Sequence, residues 1–169
     1  MRTIIVDYYN PNWASEFQKI KNELLTALGD TIIAIEHVGS TSVPGLSAKP
    51  VIDIDIVIEK NMLSEVIEKL DTIGYSHVGN LGIEGREAFK YEEKVHLMTH
   101  HLYVCDKESS ELKRHLALRD FLRANEEYRQ KYSDIKIEAA KKHPHDIDSY
   151  INMKEPVILE IYEKSGLEK

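Results

Sequence analysis

The chain is short of cysteine, of long apolar runs and of positive charge, and each shortage removes a class of protein. One cysteine, Cys105, stands among 169 residues, so no internal disulfide forms and a disulfide-stapled secreted scaffold is excluded. No run of about 18 apolar residues occurs to span a bilayer as a helix. The first residues also lack the apolar core of a secretory signal. A soluble cytoplasmic protein without membrane attachment is the resulting expectation. Lys and Arg number 22 against 29 Asp and Glu, a formal net charge of −7, which opposes broad electrostatic capture of nucleic acid. A polynucleotide is therefore not the expected substrate. Internal repeats, low-complexity tracts and linkers are also missing. A 42% hydrophobic content over this length suffices for one buried core.

What is present centres on residues 37–58, HVGSTSVPGLSAKPVIDIDIVI. Residues 51–58 interleave β-branched side chains with carboxylates at a period of two, so Asp53 and Asp55 share one face of a predicted strand. Aspartate is depleted in strands, and two like charges about 7 Å apart on one face repel unless a cation or solvent compensates. A divalent metal would compensate; a solvent-facing strand edge is the alternative. Upstream, residues 31–38 read as a strand running into Gly39 and Ser40. A glycine there lets backbone N–H groups approach an anion, and the hydroxyls of Ser40, Thr41 and Ser42 add donors for phosphate. Only residues 41–52 separate Ser40 from Asp53, which makes the turn and the carboxylates neighbours. Mg²⁺ favours such a set, one or two carboxylates with phosphate oxygens.

The remaining elements alternate in type. A strand or extended arm is expected within residues 1–9, then a helix capped by Asn12, with Trp13, Phe17, Ile20, Leu24, Leu25 and Leu28 facing the core and Gly29 ending it. Residues 61–73 form an amphipathic helix stopped by Gly74. Strands follow at 75–78, 87–91 and 99–105, with Arg86 at the mouth of a Gly-rich connection, solvated or reaching a phosphate. Helices are expected at 108–124, 126–142 and 156–164, the last begun by Pro156. His96, His100 and His101 crowd a loop–strand junction with mixed spacing, which argues against a metal site formed by the three. His143-Pro144-His145-Asp146 reads as an inter-helix turn.

Gly39-Ser40 followed after twelve residues by Asp53-Ile54-Asp55 resembles the signature of the DNA polymerase β-like nucleotidyltransferase superfamily. The fuller strings HVGSTSVPGL and AKPVIDI, with HHLYV at 100–104 and RDFLR at 119–123, resemble more narrowly the GrpB family, small bacterial proteins of that superfamily. The resemblance implies an α/β (α+β) fold: a mixed sheet flanked by helices in residues 1–106, and a helical C-terminal part at 107–169 closing over the site. It further implies a nucleoside triphosphate, an unknown small acceptor and a divalent metal, with Asp53, Asp55 and His101 as catalytic and metal-binding residues. Gly39, Ser40, Thr41, Ser42, Lys49, Arg86, Arg119, Arg123 and Lys136 would then bind substrate, with Arg119 and Arg123 four apart on one helix face. The superfamily's third carboxylate comes from a strand like 99–105, and here no acid stands before Asp106. His101 matches the family's His-x-His at this place and Tyr103 departs from it. Histidine adds Zn²⁺ to Mg²⁺ and Mn²⁺ as metals to consider. It also keeps two alternatives open: a nucleotide- or metal-binding protein without transfer activity, and a His/Asp transition-metal hydrolase.

Overall fold

The computed structural model describes residues 3–167, so Met1 and Arg2 of the expected N-terminal arm lie outside it. Five strands build one mixed sheet: β1 (Ala34–Val38), β2 (Ile52–Ile58), β3 (Tyr75–Gly79), β4 (Arg86–Tyr91) and β5 (His100–Asp106). Their order is β1-β2-β5-β4-β3; β2 and β5 run parallel and the other neighbours antiparallel. β1 is shorter than the sequence suggests because residues 29–31 form a 3₁₀ turn, in which the Thr31 hydroxyl donates to the Leu28 carbonyl at 2.7 Å. Such a local hydrogen bond competes with strand pairing.

Helices α1 (Asn12–Leu28) and α2 (Leu63–Asp71) cover one sheet face. There Ile52, Ile54, Ile56 and Ile58 meet Trp13, Phe17, Ile20, Leu24, Val66 and Leu70 in the main core. Leu25, expected in that core, is 41% exposed; it lies about 100° around the helix from Leu24 and falls off the buried stripe. The expected Asn12 cap is also displaced. The Asn10 side chain accepts from the Asn12 N–H at 2.9 Å, and Pro11 takes the first helical position with φ −56°. Proline suits that place because its missing N–H would be unpaired anyway.

The other sheet face meets α3 (Ser110–Ala124), α4 (Glu126–Lys142) and α5 (Ile147–Ser165). Val57, Cys105 and Leu112 form one small core there, and Val43, Leu46, Leu122, Tyr132 and Ile161 another. Helix α5 begins nine residues before the predicted start at Pro156, which lies inside it. Proline forfeits one helical hydrogen bond, while Asp146 caps the true start by accepting from Ser149 N–H, and Tyr150 and Ile161 are buried on either side of the proline. Near the N-terminus, the Ile4 N–H donates to the Pro144 carbonyl and Asp7 bridges to Ala48, strapping the extended arm across the α4–α5 turn. Among the described residues no helix is long and apolar enough to cross a membrane.

Candidate functional site

Parallel register sets Asp53 beside His101 and Asp55 beside Tyr103. β2 lies between β1 and β5, so neither aspartate stands on a strand edge; Asp55 is 0% exposed. Each carboxylate is held by a histidine. Asp53 Oδ1 accepts from His101 Nδ1 at 3.0 Å, which leaves Nε2 as the outward nitrogen. Asp55 Oδ2 accepts from His115 Nδ1 at 2.5 Å, and His115 Nε2 donates to Glu111 Oε1 at 3.1 Å. With a carboxylate on each nitrogen, both act as donors and the ring is an imidazolium. Burial opposes that charge, but the hydrogen bonds and charges of Asp55 and Glu111 outweigh it and raise the His115 pKa. Asp55 Oδ1 is buried with no hydrogen-bond partner.

The turn after β1 presses on these carboxylates. Gly39 has φ +73°, and a Cβ there would sit 2.3 Å from Asp53 Oδ2, so a side chain would displace the acid. Of the three hydroxyls expected to bind phosphate, two serve the turn itself. Ser42 Oγ donates to the Gly39 carbonyl at 2.5 Å, and Thr41 Oγ1 donates to the Val51 carbonyl at 3.4 Å while lying 2.9 Å from His37 Nε2. His37 stacks on Phe17; burial, helped by Arg123, pulls its pKa down to about 4, so it is neutral and structural. Ser40 Oγ instead accepts from Lys136 Nζ at 2.7 Å.

Lys136 is 3% exposed, donates also to the Ser47 carbonyl at 2.8 Å, and lies 4.1 Å from the Tyr132 ring centre. Burial, then the charge of Lys154, lowers its pKa to about 7, with Asp53 acting against them. Lys154 lies over the Tyr150 ring at 4.9 Å and is likewise lowered by burial. Neither lysine is ion-paired to a carboxylate among the described residues. Together with Ser40, Lys49, Asp53 and Tyr150 they line a cavity of about 450 Å³. Lys154, Tyr150 and His115 escape a reading of the sequence. The first two precede Pro156, and the partner of His115 lies 60 residues away.

The remaining candidates are placed differently. Arg119 donates to Glu36 Oε2 at 2.7 Å and to the His37 carbonyl, and Arg123 gives two donors to the Ser42 carbonyl. Both tie α3 to the turn instead of reaching the large cavity, although Arg119 borders a smaller one of about 200 Å³ with His115 and Asp53. Arg86, at the start of β4, stacks 4.4 Å above the ring of Tyr103 on β5. The three crowded histidines diverge: His96 pairs with Glu23, His100 is buried against Tyr75 and the Met98 carbonyl, and His101 faces Asp53. Among the described residues no three His, Cys, Asp or Glu side chains are grouped to hold a metal ion.

The family model described as GrpB protein matches residues 3–164. UPF0157 protein YqkA from Bacillus subtilis (strain 168) is 36% identical over 155 residues; the match covers 91% of this chain but 45% of YqkA. The crystal structure of conserved protein GrpB from Enterococcus faecalis superposes with TM-score 0.81 at 33% identity, covering 95% of this chain and 96% of that one. Cid1 in complex with its short product ApU shares the fold alone, with TM-score 0.54 at 10% identity over 76% of this chain and 40% of Cid1. The mixed sheet and its flanking helices thus form a nucleotidyltransferase-like fold.

Proposed function

This chain belongs to the GrpB family, and we propose that it transfers a nucleoside monophosphate from a nucleoside triphosphate to a small acceptor. The observation that carries the reading is the apposition, across Gly39, of Asp53 with the Ser40–Lys136 pair. Acids suited to a cation stand beside a buried ammonium group suited to phosphate.

A divalent cation fits the acids. Asp55 Oδ1 is a buried oxygen without a hydrogen-bond partner, and Asp53 Oδ2 adjoins the turn. Two carboxylates are what Mg²⁺ or Mn²⁺ takes from a protein, with water and phosphate oxygens completing the shell. Bound there, the ion supplies Lewis-acid stabilisation of phosphoryl charge. The histidines turn toward the aspartates, not toward a shared point, so a Zn²⁺ hydrolase finds less support. Lys136 and Lys154 counter the charge of the triphosphate, and Tyr150 and the apolar cavity wall receive the nucleoside. The acceptor oxygen bonds to the α-phosphorus as the bond to the bridging oxygen breaks; pyrophosphate leaves with that electron pair. The hydroxyl proton passes to His101 Nε2, whose ring Asp53 orients. A binding protein without transfer activity keeps one point in its favour: β5 offers His101 and Tyr103 where the superfamily offers a carboxylate.

The test crosses nucleoside triphosphates with Mg²⁺ and Mn²⁺ in a thermal-shift screen, followed by pyrophosphate release from the best pair. Wild type is expected to gain stability only with metal and nucleotide together. Asp53→Asn and Gly39→Ala, which removes or displaces the same acid, are both expected to lose that gain. Equal shifts in all three proteins sink the assignment, and shifts without pyrophosphate select the non-catalytic reading.

A further inference from the structure

The face of the sheet that carries the aspartates does not end at β5. The small cores of α3, α4 and α5 gather over β1, β2 and the far end of β5. Beyond them a groove of about 380 Å³ runs over β5, β4 and the β3–β4 connection, lined by Val78, Leu81, Ala88, Lys90, His101 and Tyr103. Val78 and Leu81 are 45% and 64% exposed. Leu81 is the one non-glycine residue at positive φ among those described, +52°, a backbone strain that concentrates at binding sites. Ala88 pairs with Tyr103, giving the groove a shallow floor between larger side chains.

Lys90 lines this groove and Arg86 borders it over Tyr103, while Asp53 stands behind His101. Arg86 stacks on Tyr103, has no carboxylate partner among the described residues, and leaves a buried Nε without an acceptor. Lys90 lies on the same face two residues from Ala88. Neither cation is ion-paired among the described residues, so both keep donors for an anion. The other end of the groove is His101, with its outward Nε2.

We propose that this groove seats the acceptor of the transfer reaction, on which reading the proposal rests. The acceptor is a small molecule carrying a hydroxyl at one end, over His101, and one anionic group at the other, over Tyr103 and Arg86. Two residues along a strand span about 7 Å, which sets the separation of hydroxyl and anion. Carboxylate and phosphate both satisfy the guanidinium fork, and an apolar stem lies against Val78 and Leu81. In the transfer step the hydroxyl oxygen bonds to the α-phosphorus, its proton goes to His101, and pyrophosphate departs, while the anionic group stays unreacted on Arg86.

Binding by the ¹⁵N-labelled full chain decides the matter without requiring turnover. The probes are glycerol 3-phosphate and 4-hydroxybutyrate, each against its neutral counterpart, glycerol and 1,4-butanediol. The two acids are expected to move the amide resonances of Ala88, Lys90, His101 and Tyr103, and the neutral pair to leave them still. The stronger acid identifies phosphate or carboxylate. In Arg86→Gln the acids are expected to bind about tenfold more weakly, the loss of one charge-assisted pair. Arg86→Lys, which keeps the charge but loses the planar fork, repeats the test should Arg86→Gln lose its dispersed spectrum, with weaker acid binding again expected. Equal shifts by neutral probes, unchanged acid binding in the folded variant, acid shifts confined to Lys136 and Lys154, groove shifts by a single-stranded oligonucleotide, or no groove shift at all each overturn the proposal. ATP with Mg²⁺ forms a separate arm: if it fails to move residues 39–42 and α5, the nucleotide reading falls, whatever the groove binds.

Discussion

The two faces of the sheet are built on opposite terms. On the side of α1 and α2, isoleucines at alternate positions of β2 meet helix stripes of Trp, Phe, Ile and Leu, and burial of apolar surface supplies the stability. On the other side, the same strand presents Asp53 and Asp55, and long-range polar pairs do the holding: Asp55–His115, Asp53–His101, Ser40–Lys136 and Ser42–Arg123. The first face is stable whatever binds. The second carries an orphan carboxylate oxygen and a buried lysine, Lys136, with no carboxylate partner among the described residues, arrangements that cost stability by themselves and that the proposed cation and anion would offset.

The largest effect in breaking this contrast should come from His115→Ala. Asp55 would be left fully buried without its only hydrogen-bond partner, and removing one member of a buried pair costs about 3–5 kcal/mol. Urea unfolding at neutral pH measures it; a loss below about 1 kcal/mol would mean that Asp55 is solvated in the native protein. The His115 pKa is raised in the fold. Its contribution is therefore complete below the ordinary histidine value near 6.5 and fades as pH climbs through the folded value. The wild-type advantage over the variant should shrink accordingly in alkaline buffer.

Lys136→Met acts in the other direction and by less. The wild-type lysine titrates near 7 in the fold against 10.5 unfolded, so the unfolded chain takes up a proton first as pH falls and the native state loses ground between those values. Methionine removes that penalty while giving up the bonds to Ser40 and the Ser47 carbonyl. The variant is expected to be about 1–2 kcal/mol more stable at pH 7, with the difference gone near pH 10.5. The nucleotide-induced thermal shift should vanish with it. A variant that is stabilised yet keeps the full nucleotide shift would detach Lys136 from the phosphate site.

The contrast between the faces also sets what a sequence reveals. Period-two isoleucines, the helical stripes and the glycine stops are local signals, so the order and type of every element on the apolar face could be read in advance, along with the Gly39-Ser40 turn and the paired acids. The polar face depends on partners 48 to 96 residues apart, and nothing local in Glu111-Leu112-Lys113-Arg114-His115 announces that its histidine meets Asp55. Arg119 and Arg123 had the right chemistry for an anion, but Glu36 and the Ser42 carbonyl take their donors first. Pro156 misled for a physical reason: its fixed φ suits a helix start, while in mid-helix it costs a hydrogen bond and crowds the preceding turn, a cost offset here by the burial of Tyr150 and Ile161. That hid Tyr150 and Lys154.

The smallest effect sharpens the comparison from the apolar side. α1 begins with Asn10 accepting from the Asn12 N–H and with Pro11 already helical, while the Asn12 side chain is exposed. Asn10→Ala should cost about 1 kcal/mol, the usual price of losing a side-chain cap. Asn12→Ala, inside the first turn, should be neutral or stabilising by a few tenths of a kcal/mol through helix propensity. Because α1 packs on the face away from the aspartates, both variants should retain the metal–nucleotide thermal shift of wild type in full. Paired melting curves with and without ATP and Mg²⁺ check this: the two free melting temperatures should separate while the two ligand-induced increments coincide. A diminished increment in Asn10→Ala would mean that loosening the apolar face reaches the site through β2, and that the two faces are coupled instead of independent.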